Sequence, residues 1–278
     1  MGEIYRYPPR DISDEGIPIF CEVDDYIENY NKIAQDEVLI RGGEYVNRFI
    51  PDKEWKIMEN TTMDLIATYI GTTDKKVLDL GVGMGRLLNY MEERGIFAER
   101  YGIDISLDML NIAKQRNGIE VCMGRVENLP YKDNVFDMII CTDVLEHVQD
   151  LYHTVLEINR VLKRGGVLII RVPYKEDLRL YVQKGYPYKY AHLRNFDDEE
   201  IEILFTKIAN MVLCKRKAGE IRVGREHYNL INTYGFSNRI AKEIHSFLQR
   251  KYPALQDNRK YLNKFYLPYV MNYVYRKL

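Results

Sequence analysis

The residues that could carry chemistry gather around a glycine-rich segment at residues 76–86, KVLDLGVGMGR. Its first half is apolar, as in a buried parallel strand, and glycines then alternate from Gly81 to Gly85. Glycine permits positive φ angles and lets a ligand lie against the backbone. A helix pattern starts at Leu87, so backbone N–H groups and a positive helix end border the turn. The segment therefore predicts a strand, a ligand-binding turn and a helix, with Asp79 beside the turn.

Two classes of nucleoside-bearing ligand use such a turn. NAD-binding enzymes favour G-x-G-x-x-G, but here the third glycine comes one residue early and Arg86 takes its place. The spacing D-x-G-x-G-x-G, from Asp79 through Gly83 to Gly85, instead resembles motif I of class I S-adenosylmethionine (SAM) methyltransferases. An ordinary glycine-rich turn between a strand and a helix is the structural alternative.

The elements that must position this turn follow an alternating pattern. Four more strands are predicted at residues 100–105, 120–123, 135–141 and 167–172, with helices between them. Such alternation favours an α/β domain with a parallel sheet, whose ligands gather at the carboxyl ends of the strands. Asp104 ends the second strand, where a carboxylate can accept hydrogen bonds from both ribose hydroxyls of a nucleoside.

Further motifs extend the resemblance over about residues 60–215. They are GIDIS at 102–106, GRVENLPY at 124–131, FDMIICTDVLEHV at 136–148 and RVLKRGGVL at 160–168. Together they are similar to the small-molecule branch of class I SAM-dependent methyltransferases, including ubiquinone-type and sugar methyltransferases. The resemblance implies a Rossmann-like, mostly parallel sheet of seven strands with helices on both faces. It also implies SAM as the cofactor and S-adenosylhomocysteine as its product.

The resemblance also assigns the cofactor-binding residues. Asp104 would hold the ribose hydroxyls, and the remaining cofactor residues would be Asp79, Gly81, Gly83, Gly85, Ile105, Met109, Val126, Glu127, Cys141 and Thr142. One position departs from the family pattern, because Arg125 stands where an acidic residue usually contacts the adenine amino group. Arginine cannot accept that hydrogen bond, so the backbone near Val126 or the side chain of Glu127 is expected to bind adenine.

Three residues are the candidates for removing a proton from a methyl acceptor. His147 follows the fourth strand of the glycine-turn domain, His192 precedes a predicted helix, and Asp143 is a further candidate. His227, beside Tyr228 in the C-terminal part, is a further histidine candidate outside these three. A structural role is the alternative for each of these histidines.

Methyl transfer needs a cover that excludes water from the carboxyl ends of the strands. Two segments could form it, a predicted helix carrying Tyr26 and Tyr30, and the tyrosine-rich segment 181–192. The tyrosine-rich segment suits an acceptor pocket, and interdomain packing is its structural alternative.

The ends of the chain suggest three parts: an N-terminal arm and helical cap (1–59), a SAM-binding domain (60–218) and a helical C-terminal extension (219–278). The extension is predicted to contain helices at residues 236–250 and 259–277, and the second combines an aromatic stripe with basic residues. The expected role of this stripe is packing on the core or on a second copy in a homodimer. Peripheral membrane contact is the weaker alternative, and nucleic-acid contact is weaker still.

Composition narrows the functional classes. The chain has 278 residues, of which 46% are hydrophobic and 29% charged, as in ordinary globular proteins. Its apolar runs are too short to span a membrane, its start lacks a signal-peptide core, and its four cysteines are scattered. We therefore expect a cytoplasmic protein without a metal site. The resemblance implies that it methylates O or N of a small-molecule acceptor such as a sugar. A lipid-linked acceptor, a non-catalytic SAM-binding module and, last, an NAD oxidoreductase remain as alternatives.

Overall fold

Nine strands of the described part of the chain form one central sheet. The computed structural model describes residues 4–41, 52–71, 74–116, 118–176, 178–182, 184–223 and 266–278. The strands are β1 (Asp11–Ile12), β2 (Pro18–Ile19), β3 (Lys76–Leu80), β4 (Glu99–Asp104), β5 (Ile119–Met123), β6 (Phe136–Thr142), β7 (Leu162–Pro173), β8 (Met211–Val223) and β9 (Tyr266–Lys277). Their order across the sheet is β1-β2-β5-β4-β3-β6-β7-β9-β8.

The parallel strands at the centre of the sheet place the predicted site residues side by side. Strands β5, β4, β3, β6 and β7 run parallel, and Leu80 pairs with Ile103 on one side and with Cys141 on the other. Because the three strands end in register, the glycine turn, Asp104 and Thr142 meet at one edge of the sheet. The predicted α/β fold with a mostly parallel sheet is confirmed.

The N-terminal arm accounts for the two strands beyond the expected seven. Residues 1–20 are predicted to be irregular, but β1 and β2 pair with each other, and β2 pairs with β5. The backbone N–H of Phe20 also donates to the Met123 carbonyl over 2.8 Å. The arm therefore lengthens the sheet at the edge formed by β5.

Helices cover both faces of the sheet. They are α1 (Asp25–Arg41), α2 (Asp52–Tyr69), α3 (Arg86–Glu93), α4 (Leu107–Lys114), α5 (Leu151–Val161) and α6 (Asp198–Glu202), the last followed by a π-helical segment, Ile203–Ile208. Successive residues of β6 enter different apolar clusters: Ile139 joins one and Ile140 the other. The sheet is therefore buried on both faces, which explains why its strands are continuous apolar runs. No helix among the described residues is long and apolar enough to cross a membrane.

The helix predicted over residues 259–277 is wrong for residues 266–277. Tyr266–Lys277 forms β9, antiparallel to both β7 and β8, and Tyr273 and Tyr275 are almost fully buried. A strand buried on both faces has apolar residues at successive positions, and some of these also satisfy helical spacing, which is why the pattern favours a helix. These residues are therefore part of the sheet and cannot form a membrane-surface helix. The predicted boundary at 219 falls inside β8, and the helix predicted at 236–250 and His227 lie outside the described residues.

Candidate cofactor and acceptor site

The glycine turn after β3 is fastened to the end of β4 by backbone hydrogen bonds. The N–H groups of Gly81 and Val82 donate to the Ile103 carbonyl over 2.8 and 3.0 Å. The next N–H, that of Gly83, donates to Oδ2 of Asp104 over 2.9 Å. The turn and the predicted ribose-binding carboxylate are thus one connected unit.

Two glycines of the turn serve different needs. A Cβ on Gly81 would lie 2.5 Å from Cγ2 of Val144, so glycine there is required by close packing. A Cβ on Gly83 would meet nothing within 4 Å, and the φ angle of Gly83 is +50°. The backbone at Gly83 therefore borders open space, as a ligand-binding turn requires.

Asp104 has its carboxylate held in place by the backbone. Its Oδ1 accepts from the N–H of Ser106 over 2.9 Å, while its Oδ2 accepts from Gly83. Burial raises the pKa of Asp104, and these backbone hydrogen bonds oppose that rise. Each carboxylate oxygen has a second lone pair, so both can still accept hydrogen bonds from ribose hydroxyls.

Asp79 supplies a buried carboxylate with unused hydrogen-bonding capacity. Its residue is 3% exposed, and Oδ1 has no hydrogen-bond partner among the described residues. Burial, followed by repulsion from Asp104, raises its pKa to about 8. A ligand ammonium group would restore both a hydrogen-bond partner and a compensating charge. The methionine part of SAM carries such a group, so the site fits this cofactor.

The other predicted cofactor residues lie around the same edge of the sheet. Ile105 and Met109, after β4, are half-buried, whereas Val126 is buried. Cys141 is buried and Thr142 half-buried at the end of β6. Oε1 of Glu127 accepts from the backbone N–H of Gln149 over 3.0 Å.

Arg125, the departure from the family pattern, joins the cover to the sheet. Its guanidinium forms an ion pair with Asp24, donates to Oε1 of Gln149 over 3.0 Å and lies 5.2 Å from the Tyr26 ring centroid. These contacts connect the end of β5 with the start of α1. The arginine therefore has a structural role at this position.

Asp143, one of the three candidate bases, is held in a buried ion pair. Its carboxylate accepts hydrogen bonds from Nε and from a terminal nitrogen of Arg171. The Arg171 side chain is 4% exposed. The same guanidinium donates to Oγ1 of Thr62 over 3.2 Å, and Thr62 donates to Asn272 over 2.9 Å. This arrangement argues against Asp143 as a base, because a proton would cancel its attraction to Arg171.

His147 lies beneath helix α1. The Tyr26 hydroxyl donates to its backbone carbonyl over 2.7 Å, and the Tyr30 hydroxyl lies 2.7 Å from its Nδ1. Burial, together with the neighbouring His192, lowers the pKa of His147 to about 3. The imidazole is therefore neutral at ordinary pH.

His192 comes from the loop after β7 and meets His147 at the acceptor side of the site. The two ring centroids lie 4.6 Å apart with the rings nearly perpendicular. Nδ1 of His192 is paired with the Glu176 carboxylate and lies 3.1 Å from the Tyr181 hydroxyl. The structure thus brings together both candidate histidines.

The two predicted cover segments pack against each other. The side-chain amide of Asn29, on α1, donates to the Tyr190 carbonyl over 3.0 Å and accepts from the N–H groups of Lys189 and Tyr190. Farther along α1, Asp36 accepts from the Tyr188 hydroxyl over 3.0 Å. Helix α1 and the tyrosine-rich segment therefore close over the histidines as one unit.

Two acidic residues of this region were not found by sequence reasoning. Glu146 is 1% exposed and has no hydrogen-bond partner for either side-chain oxygen among the described residues. Burial and the nearby Asp143 raise its pKa well above the ordinary value. Glu176 pairs with His192. Its position in the sequence carries no signal of this pairing, whereas Glu146 could have been considered as the neighbour of His147.

Part of the chain is similar to known proteins. Residues 78–170 match the methyltransferase domain family. An uncharacterized protein of Methanocaldococcus jannaschii is 36% identical over 131 residues, which cover 46% of this chain and 60% of that protein. The demethylmenaquinone methyltransferase of Thermotoga maritima is 36% identical over 97 residues, covering 34% of this chain and 42% of the enzyme. The chain spans about half the length of the curated relatives that it matches.

A solved structure agrees on the fold. A chain from the complex between the Haloferax volcanii Trm112 methyltransferase activator and a putative methyltransferase superposes with a TM-score of 0.58. The match covers 92% of this chain and 99% of that one at 16% sequence identity, a level that bears on fold alone. Residues 78–170 thus resemble a methyltransferase domain in sequence, and the fold of the chain is similar to that of a solved methyltransferase structure.

Proposed function

We propose that this protein transfers the methyl group of SAM to a hydroxyl group of a small-molecule acceptor, such as a sugar or another metabolite. The observation that carries the proposal is that two parts of one site lie together at the same edge of the sheet. The open glycine turn with Asp79 and Asp104 forms one half, and the paired histidines under α1 form the other.

The cofactor half supports SAM through complementary groups. The Gly83 backbone would border the bound cofactor, Asp104 would accept hydrogen bonds from its ribose, and Asp79 would compensate its ammonium group. Backbone carbonyls of Cys141 and Thr142 are further acceptors for that ammonium group. When bound, SAM supplies a methyl group made electrophilic by its positively charged sulfur.

The acceptor half favours oxygen over nitrogen. A neutral amine already offers a lone pair to the methyl group, whereas a hydroxyl group must lose its proton as it attacks. His192, whose Nδ1 is paired with the Glu176 carboxylate, is suited to accepting that proton, whereas the lowered pKa of His147 makes it the weaker base. Tyrosine side chains around them add apolar ring surface for a small acceptor: Tyr26, Tyr30, Tyr181, Tyr186 and Tyr190.

The alternative of a lipid-linked acceptor has lost its main support. It rested on a membrane-surface helix at 259–277, and residues 266–277 form β9 instead. A non-catalytic SAM-binding module remains the alternative that experiment must exclude.

Incubation of the full chain with methyl-labelled SAM and a panel of hydroxylated and amine metabolites tests the proposal. We expect label to enter hydroxylated compounds, together with release of S-adenosylhomocysteine, and both to be lost in Gly83→Val. Transfer only to amines would contradict the oxygen acceptor. Calorimetric binding of SAM without turnover on the whole panel would favour a binding module, and thermal stabilisation by NAD but not by SAM would overturn the cofactor.

A further inference from the structure

Three side chains that could ligate a metal meet beneath α1. One ligand atom from each of Glu146, His147 and His192 lies within 4.8 Å of the other two. Glu146 and His147 share a turn, and the N–H of Leu193 donates to the Glu146 carbonyl over 2.8 Å, which brings His192 alongside. The sequence predicts no metal site, because His192 is far from the other two along the chain and the spacing matches no ligand motif.

The carboxyl group of Glu146 lacks the partners that its burial requires. It is 1% exposed, and neither oxygen has a hydrogen-bond partner among the described residues. A buried polar group without a partner destabilises the folded state, and a charged one does so more strongly. A cation between Glu146 and the two histidines would remove this destabilisation.

Both imidazoles are held in the way that metal-ligating histidines usually are. Nδ1 of His192 is paired with Glu176, and Nδ1 of His147 contacts the Tyr30 hydroxyl. Histidine ligands usually have their second ring nitrogen fixed by a carboxylate or another polar group. These contacts leave Nε2 of each ring as the atom to ligate an ion.

We propose that Glu146, His147 and His192 bind one divalent transition-metal ion of the Zn²⁺ type. Two imidazole nitrogens and one carboxylate oxygen suit such ions, whereas Mg²⁺ and Ca²⁺ prefer oxygen ligands alone. Bonds to zinc of roughly 2.0–2.1 Å at tetrahedral angles put the ligand atoms about 3.4 Å apart. Because the three atoms lie within 4.8 Å of one another, side-chain rotations complete the site. Three protein ligands leave a coordination position open.

The open coordination position suggests a role for the ion in the proposed methyl transfer. This role rests on the proposed function. A hydroxyl group bound to the ion would release its proton to a water molecule more readily, as metal-bound water does. In the metal-bound chain the two imidazoles act as ligands and not as proton acceptors. Metal binding itself needs neither SAM nor an acceptor, so it can be measured independently of methyl transfer.

Titration of untagged, chelator-treated full-length protein with Co²⁺ tests the site. We expect one Co²⁺ to bind per chain and to develop the visible absorption of a four- or five-coordinate ion with nitrogen ligands. Glu146→Gln and His192→Ala should each weaken this binding about tenfold or more, and so should removal of the supporting carboxylate in Glu176→Gln. Competition by Zn²⁺ should abolish the absorption.

His153→Ala is the matched control, because His153 pairs with Asp150 on the surface, where its side chain is 62% exposed. This variant should bind Co²⁺ as the unchanged protein does. Absence of Co²⁺ binding to the unchanged protein, or equal binding by Glu146→Gln and the unchanged protein, would overturn the site. Calorimetry with S-adenosylhomocysteine on the same samples separates this failure from failure of the cofactor site and also reports whether each variant is folded.

Discussion

The backbone N–H of Gly83 donates a hydrogen bond of 2.9 Å to Oδ2 of Asp104. This contact joins the open turn after β3 to the carboxylate at the end of β4. The cofactor half of the site is therefore one connected unit at the carboxyl edge of the sheet.

A methyl group on Gly83 should impair cofactor binding more than folding. In Gly83→Ala the new Cβ enters space that is open in the protein alone, while the positive φ angle costs about 1–2 kcal/mol of stability. We expect affinity for S-adenosylhomocysteine, measured by calorimetry, to fall at least tenfold. In the control, Gly81→Ala, the new Cβ meets Val144, so its melting temperature should fall further. Unchanged affinity in Gly83→Ala would remove Gly83 from the site.

Removal of the Asp104 carboxylate should weaken cofactor binding directly. Hydrogen bonds to a charged group contribute about 1.5–3 kcal/mol, so Asp104→Ala should raise the dissociation constant roughly 10- to 150-fold. Asp108→Ala is the control, since Asp108 is exposed on α4 and bonds to Gln35. Equal dissociation constants for Asp104→Ala and Asp108→Ala would show that Asp104 does not hold the ribose.

Asp79 should make the stability of the ligand-free protein depend on pH. Its pKa is about 8 in the folded chain, against an ordinary value of about 4, so the folded state binds more protons between these values. Its contribution to the free energy of unfolding therefore falls as pH rises from about 4 to 8. Asp79→Asn should abolish this fall, measured as the difference between the two proteins in urea unfolding at several pH values.

His147 also makes the free energy of unfolding depend on pH, with the opposite sign. This contribution is the same in the unchanged protein and in Asp79→Asn. The pKa of His147 is lowered to about 3, so its contribution to stability rises with pH between about 3 and 6.5. The difference between the unchanged protein and Asp79→Asn cancels this term. A constant difference from pH 4 to 8 would contradict the raised pKa of Asp79.

The ion pair between Arg171 and Asp143 should contribute to folding rather than to catalysis. Arg171→Met leaves the Asp143 carboxylate without its buried partner, so the free energy of unfolding in urea should fall by about 3–5 kcal/mol. Arg94→Met breaks an exposed pair with Asp64 and should cost far less stability. Similar losses in the free energy of unfolding of the two variants would show that burial does not increase the contribution of the Arg171 ion pair to stability.

Local sequence patterns were sufficient for the half of the site that lies within one stretch of chain. The run from Asp79 to Gly85 specifies a strand, a turn and a helix, and Asp104 follows from the end of the next strand. Strand ends in a parallel sheet meet at one edge, so these residues could be placed together without a structure.

Contacts between distant segments could not be predicted in the same way. Glu176 pairs with His192, and Tyr30 contacts His147. These contacts depend on how the connecting loops run, which no local sequence pattern specifies. The helix predicted where strand β9 lies is wrong for a different reason. A strand buried on both faces has apolar residues at helical spacing as well as at alternate positions, so periodicity alone did not separate the two structures.

The closure of α1 over the acceptor site should depend on one side chain, that of Asn29. Asn29→Ala removes three hydrogen bonds to Lys189 and Tyr190 and so loosens the cover. Hydrogen exchange at the backbone N–H groups of both residues should speed up, because they donate to Asn29, and the KM for the acceptor should rise while affinity for S-adenosylhomocysteine changes little. Glu28→Ala, an exposed position on the same helix, is the control. Equal exchange rates in the two variants would mean that other contacts hold the cover closed.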